Sequence, residues 1–69
     1  MDKNAIRFEG YIDGVLTAMY FEQRFHGNDS IVEEMRKELL NGIPRTKLQR
    51  MARKNNMKID WRKIRERKS

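Results

Sequence analysis

Sixty-nine residues leave room for one domain. A chain this short buries only about 60% of its unfolded surface, so its core is small and a partner or second copy would help it. With no cysteine, a disulfide framework and a cysteine-ligated zinc site are excluded, which fits a reducing cytoplasm. One proline, four glycines and many Lys, Arg, Glu, Met and Leu point to an all-α protein, a small bundle of three to four helices.

No segment reaches the roughly 18 apolar residues of a membrane span. The start, MDKNAIRFEG, lacks the basic-then-apolar layout of a signal peptide. Neither a membrane partner nor export is expected, and a cytoplasmic location follows. Charge is the main functional clue. Residues 1–43 carry five basic and eight acidic side chains, a net −3, whereas residues 44–69 carry eleven basic and two acidic, a net +9. The first part reads as scaffold helices and the second as basic helices with a frayed tail that binds a polyanion.

The first helix is expected over 5–25 (AIRFEGYIDGVLTAMYFEQRF), capped by Asp2 or Asn4. At about 100° per residue, Phe8, Tyr11, Ile12, Val15, Met19 and His26 share one broad face. Gly10, Gly14 and Ala18 form a second stripe at i, i+4, i+8, with Phe21 and Phe25 beside it. Glu9, Asp13, Thr17, Tyr20 and Arg24 make the polar side. So wide an apolar arc predicts a central helix covered by others. Each glycine costs roughly 1 kcal/mol of helix propensity relative to alanine. The stripe therefore needs a packing reason, either a later helix of the same chain or a self-association seam.

His26-Gly27 ends this helix, with Gly27 in the left-handed position. After the turn Gly-Asn-Asp-Ser, Ser30 and Glu33 match a capping box for a second helix over about 31–41. Its inner arc is Ile31, Val32, Met35 and Leu39, with Leu40 at the edge. Glu33 and Lys37 stand at the favourable i, i+4 spacing. Asn41-Gly42 stops the helix, and Pro44 marks a restart.

The third helix spans about 45–55, with Leu48, Met51, Ala52 and Asn55 inward and Lys47, Arg50, Arg53 and Lys54 outward. Asn55-Asn56 is a turn, since asparagine tolerates the left-handed conformation. Met57 and Ile59 predict that the connection packs down. Asp60 is the N-cap of a last helix, about 61–67, anchored by Trp61 and Ile64.

The stretch LQRMARKNNMKIDWRKI (48–64) has the outline of a helix-turn-helix, with Ala52, Asn56, Trp61 and Ile64 in the packing and turning parts. The fit is loose, because the turn carries an apolar pair and the second helix is short. A plain helical hairpin with a solvated basic face is the alternative. Candidate phosphate contacts are Arg45, Lys47, Arg50, Arg53, Lys54 and Lys58, and Arg62, Lys63, Arg65 and Arg67 would be presented to a groove. Trp61 reads first as a core anchor and second as a stacking platform for an unpaired base.

His26 with Glu22 and Asp29 is a poor metal constellation, so no metal site is expected. Nor is any catalytic residue or cofactor expected. There is no cysteine nucleophile, the glycines do not cluster into a phosphate loop, and the carboxylates are scattered. Two functions follow. The first is a small regulatory or accessory protein that binds nucleic acid, DNA rather than RNA, of the kind carried by bacteria and their mobile elements. The second is an adaptor or inhibitor that docks on a larger protein through its helical surface; in the first, the two scaffold helices also offer a homodimer seam.

Overall fold

The computed structural model describes residues 3–64. Three α-helices follow in order, α1 (Lys3–Phe21), α2 (Asp29–Leu39) and α3 (Arg45–Lys54). A π-helical turn, Glu22–His26, extends α1, and a 3-10 turn, Trp61–Lys63, closes the described chain. The all-α expectation holds, since no strand occurs among the described residues.

One core draws on all three α-helices and on the segments that follow α2 and α3. Ile12, Val15, Leu16 and Met19 of α1 meet Val32 and Leu40, then Ile43, Leu48, Ala52, Ile59 and Ile64. Tyr20, Met35, Met51, Met57 and Trp61 pack around it, half-buried. α1 contacts both α2 and α3, so it is central. It is covered on one face only, however.

That corrects the expected broad face. Phe8 and Tyr11 each keep 47% exposure and His26 is exposed, while Leu16, outside the expected face, is fully buried. Ile12, Val15, Leu16 and Met19 are spaced i, i+3, i+4, i+7, a single narrow stripe. Tyr11 lies at its rim, where its ring rests on the protein and its hydroxyl donates to the Leu39 carbonyl at 2.8 Å. Asn4 lies inside α1 and so does not cap it, and Asp2 is outside the described residues.

The chain turns as anticipated at Gly27, whose φ of 60° is left-handed and whose N–H donates to the Glu22 carbonyl. The cap of α2 differs. Asn28, not Ser30, is the N-cap, and its side chain accepts from the Ile31 N–H at 3.4 Å. Because Gly27 reverses the chain in one residue, the helix can begin two residues sooner. Asp29 then sits in the first turn, where the helix dipole favours an anion.

The inner arc of α2 is also rotated from expectation. Val32 and Leu40 are fully buried, but Ile31 and Leu39 each keep 44% exposure. Arg36 fastens the end of this helix, donating to the carbonyls of Leu40 at 2.5 Å and Ile43 at 2.9 Å. Orphan carbonyls at a helix end need such partners. The buried Ile43 and the N-cap Pro44 then set the start of α3.

After α3, Asn56 is left-handed at φ 58°, and the Met57 N–H returns to the Ala52 carbonyl at 2.8 Å. Met57 and Ile59 pack inward as expected, and Asp60 caps the next turn by accepting from the Arg62 N–H. That turn is 3-10 rather than α, and Ile64 has extended backbone. The second helix of a helix-turn-helix is therefore not formed over 61–64. Residues 65–67 of the expected last helix lie outside the described residues.

Candidate nucleic-acid interface

The basic residues named from sequence divide into two groups once the chain is folded. Arg50, Arg53, Lys54, Lys58, Arg62 and Lys63 are exposed. Of these, Arg62 pairs with Asp60 at 3.4 Å, and an ion pair so open to solvent contributes little. Among the described residues, the other five make no ion pair. Arg50, Arg53 and Lys54 stand on the outer side of α3, which turns Leu48 and Ala52 to the core. Helical spacing alone produces that separation.

Arg45 and Lys47 are different. Arg45 is half-buried, its guanidinium donates to the Trp61 carbonyl, and it lies 5.8 Å from the centre of the Trp61 ring. It ties the start of α3 to the 3-10 turn, so it serves the fold rather than standing free for a phosphate. Lys47 is half-buried with its ammonium 5.8 Å from the Phe8 ring centre. Arg65 and Arg67 lie outside the described residues.

A concavity of about 490 Å³ opens beside this basic surface. Ala52, Met57 and Ile59 form its apolar floor with Trp61, and Gln49, Arg53, Asn56 and Lys58 its polar rim. The fold brings together Arg53, Lys58 and Trp61, which were named separately from sequence.

The wall of this cleft is held by a residue that sequence reasoning passed over. Gln23, in the π-helical turn, accepts from the Asp60 N–H at 2.7 Å and donates to the Asp60 carbonyl at 3.1 Å. A primary amide carries both a donor and an acceptor and so can bracket the backbone of one residue in this way. No local signal marks it, because its partner is 37 residues away. A second pair of ties joins the same regions. The Asn55 amide donates to the Asp13 carboxylate at 3.1 Å, and the Thr17 hydroxyl, which donates to the Asp13 carbonyl at 2.7 Å, lies against the Met57 sulfur at 3.6 Å.

The small-residue stripe of α1 faces solvent. Gly10, Gly14 and Ala18 are exposed, and a Cβ added at either glycine would meet nothing within 4 Å. Packing against a later helix of the same chain is thus not its role. Phe21 and Phe25 beside it stack on each other at 5.5 Å and remain 49% and 62% exposed.

His26 approaches Glu22 at 3.2 Å. Among the described residues, no group of three His, Cys, Asp or Glu side chains could hold a metal ion, and no helix is long and apolar enough to cross a membrane. The fold and site define a small helical bundle with a basic face. No protein-family model, curated protein or solved structure matches the chain.

Proposed function

We propose that this protein binds nucleic acid, DNA in the first instance, through the outer side of α3 and the segment that follows it. The observation that supports this reading is the set of exposed cations, Arg50, Arg53, Lys54, Lys58 and Lys63, none of which is used in an ion pair among the described residues. Lysine and arginine held in water at a surface contribute little to folding, but each can displace a counterion from a phosphate. Neutralising about five phosphates gives a slope near −4.5 in the logarithm of the binding constant against the logarithm of salt concentration.

The test is titration of the full chain into labelled duplex DNA, single-stranded DNA and RNA at two salt concentrations. Micromolar binding that weakens steeply with salt is expected. Arg50→Glu combined with Arg53→Glu should abolish it while the helical circular-dichroism signal stays. No binding at low salt, or binding that survives the double change, overturns the reading.

One observation favours a second reading, a protein partner seated on the outer face of α1. Phe21 and Phe25 are exposed there beside Gly10, Gly14 and Ala18. Apolar patches of this kind mark interaction sites. Capture of a defined partner that resists nuclease treatment, and is lost on Phe21→Ser with Phe25→Ser, would support it.

A further inference from the structure

We propose that the cleft between the end of α3 and the segment 57–61 holds one unpaired base of single-stranded DNA, stacked against Trp61, with the flanking phosphates on Arg53 and Lys58. The proposal rests on the nucleic-acid reading and adds to it a specific site and strand type.

Three observations carry it. The cleft's volume, about 490 Å³, lies within the range of small-ligand sites. Its lining joins an aromatic wall and an apolar floor to two cations at the rim, Arg53 and Lys58. A stacking surface beside a positive groove is the physical recipe for single-strand binding, since every base has a π-face and every linkage a charge. Gln49 and Asn56 stand at the rim as well, and among the described residues neither side-chain amide is engaged in a hydrogen bond. Each can donate to and accept from a base edge.

The cleft is also built in advance. Arg45 holds the Trp61 carbonyl and lies across its ring. Gln23 brackets Asp60 through two hydrogen bonds. The Met57 N–H is tied to Ala52. A wall fixed at three points loses little freedom when a ligand enters, which favours binding. Bases inside a duplex are already paired and stacked, so entry would require taking one out of the helix. A single strand avoids that cost.

Trp61 is the sole tryptophan, so its emission reports on this cleft alone. The experiment titrates the full-length chain with an oligothymidylate and with a duplex of equal length at one salt concentration. Both labelled-DNA anisotropy and Trp61 emission are followed. The single strand should bind about tenfold tighter than the duplex, the worth of one stacked base, and should quench Trp61. Lys58→Gln should weaken single-strand binding several-fold more than the charge-matched Lys37→Gln on α2, with circular dichroism unchanged in both. Equal affinity for the two DNAs with unchanged emission overturns the cleft site and leaves the phosphate-binding surface standing. Equal losses from the two lysine variants also overturn it. No binding of either DNA at low salt overturns both readings together.

Discussion

Gln23 shows how much of this fold rests on single polar side chains. Its amide bonds both the N–H and the C=O of Asp60; the carbonyl also accepts from the Lys63 N–H at 3.3 Å, so removal of Gln23 leaves the partly buried Asp60 N–H without its partner. Gln23→Ala should destabilise the protein by about 1–3 kcal/mol, the cost of unsatisfied groups of this kind, read as a lower urea midpoint. Gln23→Glu should restore only part of it, because a carboxylate still accepts from the Asp60 N–H but cannot donate to the Asp60 carbonyl. Arg36 and Arg45 act in the same spirit, each donating to backbone carbonyls at an element's end. Cations in a basic half thus serve two purposes. Composition alone cannot separate Arg45, which closes the fold, from Arg50, which stands in water.

At the scale of elements, the caps and glycines make opposite predictions for residues that look alike. Asn28 accepts from the Ile31 N–H at the start of α2, whereas Ser30 lies within the helix. Asn28→Ala should therefore cost about 1 kcal/mol, and Ser30→Ala should change stability by no more than about 0.5 kcal/mol. Thermal unfolding of the two variants distinguishes the cap observed from the capping box that the spelling Ser-x-x-Glu suggests.

The glycines of α1 have free space where a methyl group would go. Gly14→Ala should accordingly raise stability by up to about 1 kcal/mol, the propensity difference. A fall instead would mean that something covers this face in solution, and sedimentation of the same variant would show whether a second copy does. The breaks between helices were legible in the sequence because Gly27 and Pro44 act on their near neighbours, whereas the expected caps at Asn4 and Ser30 lie inside their helices. Which apolar residues faced inward was less legible, because α1 offers two apolar stripes and periodicity does not choose between them.

For the molecule as a whole, eleven of the described residues form one core, and they come from both the acidic and the basic part of the chain. Leu16 sits in its middle, fully buried. Leu16→Ala should cost about 2–5 kcal/mol, a large share of what a small domain has. Loss of the cooperative unfolding transition at room temperature is the expected outcome. The same dependence makes the basic surface a product of the acidic half. Gln23 and Asp13 of the first half hold Asp60 and Asn55 of the second.

By itself the sequence determined the helical class, the turns at Gly27 and Asn56, the inward packing of Met57 and Ile59, and the gathering of positive charge after residue 43. These are local properties, set by backbone preference, by capping and by counting charges. Only the tertiary structure decided that the glycine stripe faces water, that Leu16 replaces Phe8 and Tyr11 in the core, and that Arg45 is a strut. It also brought Arg53, Lys58 and Trp61 to one cleft. Each of those outcomes depends on which distant segment arrives at a given helix face, and contact between distant segments leaves no trace in local spacing.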